Sequence, residues 1–214
     1  MKVELINFTP YPVLTVMKAI RICHDSEHKS DTKDDEIGPN DANLLKKCID
    51  MGHTSVLEHV SFTFQFQVSR VTQTQLVRHR LSTFSIESQR HVEPKYHYVP
   101  ESISNDPKAF DLFMAGLGNA IQDYNQLLKY GISKEDARYI LPMAMCGKIM
   151  YTTNLRNLRN AIAERTCVHS QLEIRRLFTG IKNLIMEICP VFMYRVAKCH
   201  NCKNKCHYGE TNES

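Results

Sequence analysis

The sequence predicts an α+β fold, in which a small, largely antiparallel sheet is flanked by helices within a single domain. The first observation behind this prediction is the stretch VSFTFQFQV (60–68), where apolar and polar residues alternate as in a half-buried strand. The second is the recurrence of apolar residues at helical spacing over 110–128 and 174–188. The third is that strand and helix patterns are interspersed without a regular βαβ repeat, which favours the α+β class.

Composition and charge place the chain among globular proteins. Its 214 residues are enough for one domain with a sizeable core, and 43% of them are hydrophobic and 23% charged. The net charge of +4 suits an anionic ligand but is too small and too dispersed to indicate a nucleic-acid coat. No segment approaches the roughly 18 apolar residues of a membrane helix, and MKVELINF does not resemble a signal peptide. The eight cysteines are therefore expected to be reduced thiols in the cytoplasm.

The N-terminal part of the chain predicts a strand and two helices that are separated by a polar loop. Residues 3–8 form the strand, and the first helix begins at Pro12. Residues 24–40 are polar and acidic and are expected to be a surface loop. Asn40 is the expected N-cap of the second helix, which Gly52 closes.

The rest of the chain adds helices after the strand at 60–68. Residues 70–78 predict a short helix, which is followed by a loop at 78–90 and an extended segment at 91–100. The remaining predicted elements are a helix from Asp106-Pro107 to Gly131, a capping box at 133–136 that opens a short helix ending near Pro142, a segment at 143–152 that is either strand or helix, a helix from Asn154, and a long helix ended by Pro190.

The predicted loop RHRLSTFSIESQR (78–90) gathers many groups that bind anions. Guanidinium groups are planar forks that suit a phosphate or the edge of a pyrimidine, and hydroxyl groups add short donors. The groups in question are Arg78, His79, Arg80, Ser82, Thr83, Ser85, Ser88 and Arg90. The alternative is a basic loop whose arginines are solvated or paired with Glu87 and Glu93.

A second cluster lies in TTNLRNLRNAIAERTCVHSQLE (152–173). Arg156 and Arg159 are spaced to share one helix face, with Asn160 beside them. Asparagine is a poor helix former, so Asn154 and Asn160 indicate amide groups that are needed as donors and acceptors. Arg159 is expected to lie on a solvated helix face with local ion pairs.

A third stretch, GHTSVLEH (52–59), joins a helix to the strand at 60–68. It places His53, Ser55, Glu58 and His59 close together. Their order differs from HExxH, so capping and loop hydrogen bonds are favoured over a metal site. The chain has no GxGxxG, GxxxxGK[ST] or GxSxG motif, which argues against a Rossmann device, a P-loop and a nucleophile elbow.

Together these segments resemble one enzyme family. Arg78-His79-Arg80, followed after seven residues by Ser88, matches the RHRx7S motif of flavin-dependent thymidylate synthases, and Gln89-Arg90 extends the match. GHTSVLEH resembles the family's GHxSxxEH segment, and ARYILP (137–142) resembles its ARxxLP segment. The stretch 154–174 resembles its NxR…N…R…HxQxEI block, so that matching segments run from about residue 50 to residue 190.

The resemblance implies an enzyme that makes dTMP from dUMP by reductive methylation. Methylenetetrahydrofolate would donate the carbon, reduced FAD the hydride, and NADPH would be the final reductant. The implied assembly is a homotetramer whose active sites form between subunits. Arg165 is the implied catalytic residue, since a guanidinium at the pyrimidine edge stabilises negative charge at N3/O4 and activates carbon 5 without a cysteine nucleophile.

The resemblance also assigns ligand contacts residue by residue. The residues implied around dUMP are Gln75, Leu76, Val77, Arg78, Glu87, Ser88, Gln89, Arg90, Arg138 and Arg165. Those implied around FAD are Ser55, Arg78, His79, Arg80, Asn154, Leu155, Arg156 and Asn160. Two positions depart from the family's pattern: Ile86 stands where many relatives carry glutamate, with Glu87 one residue later, and His91 replaces a common tyrosine.

The C-terminal end is expected to differ from the rest of the chain. The predicted catalytic domain spans 1–198, and a Cys/His-rich tail spans 199–214. The tail has side chains with zinc-ligand chemistry, namely Cys199, Cys202, Cys206 and His207. Because these lie in one short segment without a second half-site, reduced thiols or occasional disulfides are favoured and no metal is predicted.

Two hypotheses compete with the enzyme. The first is a catalytically inactive relative that only binds nucleotide or flavin, which Ile86 and His91 motivate. The second is a nucleic-acid-binding protein with basic loops and a zinc-knuckle-like tail. The low net charge and the lack of interleaved aromatic residues weigh against it. Small molecules are therefore the expected ligands, and neither a membrane nor a nucleic acid is an expected partner.

Overall fold

The structure is a computed structural model that describes residues 2–196. Within that range the chain forms eight α-helices and four β-strands. The helices are α1 (Pro12–Ile22), α2 (Pro39–Asp50), α3 (Arg70–Leu76), α4 (Glu101–Ser104), α5 (Pro107–Lys129), α6 (Lys134–Ala137), α7 (Leu155–Arg165) and α8 (Leu172–Ile188). The strands are β1 (Val3–Phe8), β2 (Ser61–Ser69), β3 (Ser82–Ile86) and β4 (Cys146–Asn154).

The strands form one antiparallel sheet in the order β1-β2-β4-β3, which confirms the predicted α+β class. The alternation in β2 has the expected effect, because Phe62, Phe64, Phe66 and Val68 are buried while the residues between them are more exposed. The segment at 143–152, which the sequence left open, supplies most of β4.

Contacts between residues divide the chain into two compact units. The terminal unit comprises Val3–Phe64, His79–Thr83 and the described residues from Tyr151 onward. The middle unit comprises Lys2, Gln65–Arg78 and Phe84–Met150.

The terminal unit has a core of rings in contact, stacked, tilted or edge-on, here called the aromatic row. Its members are Phe8, Phe62, Phe64, Tyr151, Phe178 and His79. Neighbouring ring centroids are 5.6 to 6.4 Å apart, which is the spacing at which aromatic pairs attract. Helix α8 contributes Phe178 from an apolar face that is fully buried. The row therefore connects the strands to α8 and ends at His79.

Helices α1 and α2 of the terminal unit are joined through a buried carboxylate. Asp41 on α2 accepts hydrogen bonds from Arg21 on α1, from the Ser30 hydroxyl (2.5 Å) and from the backbone N–H and hydroxyl of Thr32 (3.1 and 2.6 Å). Arg21 and Asp41 are 6% and 0% exposed. The polar segment 24–40 is therefore tied to the helices and is not a wholly exposed loop.

The start of α2 corrects the prediction that Asn40 is its N-cap. The helix begins at Pro39, and the Asp31 carboxylate accepts hydrogen bonds from the N–H groups of Asn40 and Asp41, both at 2.9 Å. Gly38 allows this because a Cβ there would lie 2.2 Å from the Asp31 Cγ. The expected cap was wrong because an acceptor from elsewhere in the chain supplies the hydrogen bonds.

Three helices of the middle unit, α3, α5 and α6, begin at side-chain caps. Ser69 accepts from the Thr72 N–H at the start of α3, Asp106 accepts from Lys108 and Ala109 at the start of α5, and Ser133 accepts from Asp136 at the start of α6. The caps at Asp106 and Ser133 confirm the predictions. Leu117 and Tyr124 are the buried residues of α5.

The predicted loop at 78–90 was wrong in part, because residues 82–86 form strand β3. The serine and threonine residues of this stretch and its charged neighbours are typical of loops, so the strand was not predicted. Phe84 and Ile86 lie on its less exposed face. The segment 91–100 contains no strand, and its one bridge pair joins His97 to Met145.

No helix among residues 2–196 is long and apolar enough to cross a membrane. The predicted domain boundary at residue 198 and the candidate ligands Cys199, Cys202, Cys206 and His207 lie outside the described residues, so both remain predictions.

Candidate active site

The junction of β4 and α7 sets the position of several predicted residues in the terminal unit. Asn154 has extended backbone angles, and its Oδ1 accepts a hydrogen bond from the Asn157 N–H at 2.8 Å. Asn154 is therefore the N-cap of α7, in agreement with the predicted helix start. Leu155 is fully buried and its N–H donates to the Val60 carbonyl at 2.7 Å, so its side chain is not open to a ligand.

The next turn of α7 opens onto a cavity of about 270 Å³ within the terminal unit. Two of the predicted flavin residues, Arg156 and Asn160, line it. The other lining residues are Ile49, Thr54, Arg159, Ala163, Arg195 and Val196. The sequence did not single out Thr54 or Arg195. Thr54 lies inside the GHTSVLEH segment, whereas no motif pointed to Arg195.

Acidic side chains partner two arginines at this cavity. Arg156 forms an ion pair with Glu58, and both side chains are close to half exposed. Arg195 pairs with Asp50 at 3.0 Å. These carboxylates hold the guanidinium groups in place while leaving them within reach of solvent, so an incoming anion could share or replace either partner.

Arg159 differs from the prediction of a solvated helix face. It is 9% exposed, and its guanidinium donates to the backbone carbonyls of Phe192 and, at 2.8 Å, Tyr194. Burial lowers the pKa of Arg159 to about 10, which still leaves the group charged at neutral pH. Arg159 therefore fastens the segment after α8 to α7. The prediction was wrong because the segment that covers this face follows 30 residues later in the sequence.

The loop before β3 is attached to the same junction by hydroxyl and amide groups. The Asn157 Nδ2 donates to the Ser82 Oγ (2.8 Å) and to the Leu81 carbonyl (3.3 Å). Ser82 in turn donates to the Thr153 Oγ1 at 3.0 Å. This network fixes the end of the RHR segment, whose Arg80 is exposed.

His79 and Arg165 meet within the terminal unit although 86 residues separate them. The Arg165 Nε donates to the His79 Nε2 at 2.9 Å, and its Nη2 lies 3.3 Å from the Glu164 Oε1. His79 is 8% exposed and packs against Phe178. Burial and then the charge of Arg165 lower the pKa of His79, while Glu164 opposes the shift, so the imidazole is neutral at neutral pH.

The middle unit brings two predicted dUMP residues to Glu135, one to its carboxylate and the other to its backbone carbonyl. The Arg90 Nη2 lies 2.9 Å from the Glu135 Oε2, and the Arg138 Nε donates to the Glu135 backbone carbonyl at 3.0 Å. Glu135 lies on α6 and was not singled out from the sequence. Of the alternative partners considered for the loop arginines, Glu93 pairs with Lys134, and Arg90 pairs with Glu135.

The end of α3 carries three more predicted residues of the middle unit. Leu76 is fully buried, so its side chain belongs to the core and a ligand could meet only its backbone. Gln75 is half-buried, and Val77 is 40% exposed. Arg78 comes next in the sequence and is exposed, so a basic side chain lies just after the helix.

The Ile86–Glu87 pair, where the chain departs from the family pattern, lines a second cavity. This cavity measures about 290 Å³ and lies within the middle unit. Its other lining residues are Gln65, Ser85, Lys148, Ile149 and Met150. The Glu87 N–H donates to the Lys148 carbonyl at 2.9 Å, which holds the backbone after β3 against β4. Ile86 and Glu87 therefore border the same space. Ser88 and Gln89 follow Glu87 in the sequence, and the Ser88 Oγ accepts a hydrogen bond from the Arg90 N–H.

The segment GHTSVLEH forms a turn and a 3-10 helix (Ser55–His59) in the terminal unit. His53, Ser55, Glu58 and His59 are all exposed there. Within residues 2–196, no group of three or more His, Cys, Asp or Glu side chains could hold a metal ion.

The donor chemistry of the terminal unit fits an anionic dinucleotide. Guanidinium groups bind phosphates in pairs of parallel hydrogen bonds, and amides bind the edges of aromatic rings. Arg156, Asn160 and Arg195 provide these groups around one cavity, with Arg80 exposed on the RHR segment. The residues present therefore fit part of FAD.

Comparison with known proteins gives consistent relatives. The family described as "Thymidylate synthase complementing protein" matches residues 4–191. The chain is 35% identical over 195 residues to the flavin-dependent thymidylate synthase of Geobacter sulfurreducens, which covers 89% of this chain and 84% of the relative. It is also 35% identical over 215 residues to the enzyme of that name from Nitratidesulfovibrio vulgaris, covering 92% and 88%.

A solved structure has the same fold. The crystal structure of a UMP/dUMP methylase, PolB, from Streptomyces cacaoi bound with 5-Br dUMP superposes with a TM-score of 0.81. The match covers 90% of this chain and 93% of that one, at 24% sequence identity. At this identity the likeness shows the fold alone.

Proposed function

Because this chain belongs to the thymidylate synthase complementing protein family, whose curated relatives are named flavin-dependent thymidylate synthases, we propose that it makes dTMP from dUMP. The methylene group of methylenetetrahydrofolate is transferred to carbon 5 of the uracil ring, carbon 5 loses its proton, and tetrahydrofolate is released. When bound, FAD that NADPH has reduced would supply the hydride that converts the transferred methylene group into a methyl group. The contribution of the protein is to bind, orient and polarise.

Arg165 is the proposed catalytic residue. Carbon 5 of uracil is a weak nucleophile, and a positive charge at the N3/O4 edge stabilises the negative charge that develops there as the carbon reacts. Two observations support this role for Arg165. Its side chain is 16% exposed, and His79 and Glu164 contact its guanidinium. A charge that is largely shielded from water interacts more strongly with a nearby negative charge.

The mechanism proposed here uses no cysteine nucleophile. The free thiols of Cys48, Cys146 and Cys189 are buried, and burial raises the pKa of Cys48 and of Cys189, which disfavours the reactive thiolate. Cys167 is partly exposed and its Sγ lies 3.3 Å from the His169 Nδ1. Cys23 is exposed as well, but Cys167 lies two residues from Arg165 in the sequence, so its replacement tests this part of the proposal.

We assign the dUMP phosphate to the arginines of the middle unit. Arg90 and Arg138 meet at Glu135, and the exposed ion pair of Arg90 contributes little to stability, so phosphate can replace the carboxylate at small cost. The pyrimidine contacts assigned to Gln75, Val77, Glu87, Ser88 and Gln89 remain proposals of the same kind. Leu76 would contribute through its backbone.

We assign FAD to the terminal unit. Arg156 and Asn160 line the cavity of about 270 Å³. Ser55, His79, Arg80, Asn154 and, through its backbone, Leu155 are the other proposed FAD residues of this unit. The contact of Arg78 with FAD stays a prediction of the resemblance. Ligand pockets usually measure about 300–1,000 Å³, so this cavity is small for a dinucleotide. The homotetramer that the resemblance implies, in which a second subunit completes each site, stays part of the proposal.

The observation that carries the proposal is the order and completeness of the motif residues, which the family match spans from residue 4 to residue 191. The test is turnover under anaerobic conditions with dUMP, methylenetetrahydrofolate and NADPH, with dTMP measured by chromatography. We expect a yellow protein whose flavin spectrum bleaches with NADPH, and formation of dTMP. Flavin binding and bleaching without dTMP would identify the inactive relative, and salt-sensitive nucleic-acid binding without flavin would favour the other alternative.

Replacing Arg165 tests its catalytic role directly. Arg165→Ala is expected to lower kcat by a factor of about 10²–10³, as the loss of one charge-stabilising donor does elsewhere, while flavin content stays unchanged. Arg175→Ala, on α8, is the matched arginine control, and Cys167→Ser tests for a cysteine nucleophile. Both variants are expected to keep normal turnover. Normal kcat in Arg165→Ala, or its loss in Cys167→Ser alone, would contradict the mechanism.

A further inference from the structure

We propose that His79 is a positioning residue for Arg165, whose guanidinium it holds through a hydrogen bond from the Arg165 Nε to its own Nε2. The inference rests on the function proposed above and deepens it. The resemblance assigned His79 to FAD alone, and no motif related it to Arg165. The contact is 2.9 Å long and joins residues that are 86 positions apart in the sequence.

The direction of this hydrogen bond fixes the protonation state of the imidazole. An arginine Nε always carries a proton and can only donate, so the His79 Nε2 must accept. An imidazole that accepts at Nε2 is neutral and carries its proton on Nδ1. A protonated ring would present a second donor and a second positive charge to the guanidinium, and the contact would be lost.

The position of the ring is fixed from its other side by the aromatic row. The His79 and Phe178 ring centroids are 5.6 Å apart with an interplanar angle of 54°. Phe178 is fully buried and packs edge-on against Tyr151 at 6.4 Å. The imidazole therefore cannot turn without disturbing the core, and its acceptor nitrogen remains directed at Arg165.

A hydrogen bond at Nε restrains the direction of the guanidinium through an atom outside the Nη1–Nη2 fork. The fork that binds a planar partner bidentately is formed by Nη1 and Nη2. Of these, Nη2 lies 3.3 Å from the Glu164 Oε1, a carboxylate that is 56% exposed and weakly held. His79 thus sets the direction of the fork, and this matters because small misplacements of a catalytic group reduce rates steeply.

The charged groups that face His79 are Arg165 and Glu164, both from the C-terminal end of α7. Burial is the largest cause of the lowered pKa of His79, and Arg165 adds to it, while Glu164 acts in the opposite direction. The neutral ring that the geometry requires is therefore the form present at neutral pH. Acidification below the ordinary histidine pKa of about 6.5 should release Arg165.

The test compares four proteins: the wild-type holoenzyme, His79→Gln, His79→Ala and the control His28→Gln. Glutamine places a neutral carbonyl oxygen near the position of Nε2 and accepts at every pH, whereas alanine offers no acceptor. His28 is an exposed histidine distant in sequence from the assigned site residues. Steady-state kcat and KM for dUMP are measured from about pH 5 to about pH 8, and flavin content is measured in parallel.

The wild type and His28→Gln should lose kcat on acidification with a midpoint below about 6.5, and His79→Gln should lack this acidic limb. His79→Ala should lose kcat on the order of 100-fold with little change in KM and with flavin retained. An acidic limb that persists in His79→Gln, or normal kcat in His79→Ala, would overturn the proposal. If His79→Gln and His79→Ala lost flavin equally and had normal kcat at saturating FAD, His79 would contact the cofactor without positioning Arg165.

A spectroscopic measurement tests this inference independently of the proposed function. In a ¹⁵N–¹H spectrum, the Arg165 Nε–H should give a signal that exchanges slowly in the wild type and in His79→Gln but rapidly in His79→Ala. Arg165→Ala identifies the signal. If the wild type makes no dTMP, the function fails while this signal still reports the contact. A signal that is unchanged in His79→Ala would overturn the positioning role even in an active enzyme.

Discussion

Replacing Asp41 with asparagine should destabilise the protein by about 3–5 kcal/mol, because it leaves the buried Arg21 without a counter-charge. The carboxylate is 0% exposed and accepts hydrogen bonds from Arg21, Ser30 and Thr32. Asparagine keeps the volume and one oxygen but turns an NH₂ group toward donors such as the Thr32 N–H. At fixed protein concentration, and with a slope of about 2 kcal/mol/M, the urea midpoint should fall by about 1.5–2.5 M.

A double variant tests whether the loss comes from the unpaired charge. Arg21→Met alone should also be costly, but Arg21→Met combined with Asp41→Asn should cost less than the sum of the two by about 1–3 kcal/mol. A midpoint shift in Asp41→Asn that corresponds to less than about 1 kcal/mol would refute the reasoning. Strict additivity of the two substitutions would refute it as well.

The effect of Asp41→Asn should also depend on pH. Burial raises the pKa of Asp41, but hydrogen bonds from Ser30 and Thr32 and the guanidinium of Arg21 outweigh it, and the net pKa lies below 3.8. A carboxyl whose folded pKa is lowered contributes its stability above the unfolded value and loses it as the pH falls toward the folded value. The gap between wild type and variant should therefore be full at neutral pH and narrow below about pH 3.8.

Two further substitutions test other buried contacts by thermal and urea unfolding. Tyr124→Phe should raise the free energy of unfolding by about 1 kcal/mol, because the buried Tyr124 hydroxyl has no hydrogen-bond partner within residues 2–196; a loss of more than about 1 kcal/mol would show that the hydroxyl has one. Gly38→Ala should lower it by about 1–2 kcal/mol, because the new Cβ would displace the Asp31 carboxylate from the N-terminus of α2; unchanged stability together with an intact cap would contradict this.

Local patterns predicted those parts of the fold that local chemistry determines. The alternation in β2, the caps Asp106 and Ser133, and the helix start at Asn154 depend on residues close in sequence, and they were confirmed. Strand β3 was missed because its hydroxyl-rich sequence is also typical of loops.

Long-range partners limited what the sequence could predict of the site. The motifs implied the family, which is confirmed, and they named Arg165 and Arg90. They did not name Glu135, which partners Arg90 from 45 residues away, or the contact of His79 with Arg165. Motif matching finds residues one by one, whereas their pairing depends on how distant segments pack.

The capping role of Asn154 affects how mutagenesis of this site can be interpreted. If Asn154→Ala lost its flavin, the loss could reflect a missing contact with the cofactor or the unwinding of the first turn of α7, since removal of a cap costs about 0.5–2 kcal/mol. Asn154→Asp or Asn154→Ser would preserve the cap acceptor while changing the chemistry offered to a ligand. Only these paired substitutions can distinguish recognition of the cofactor from maintenance of the helix that presents Arg156 and Asn160.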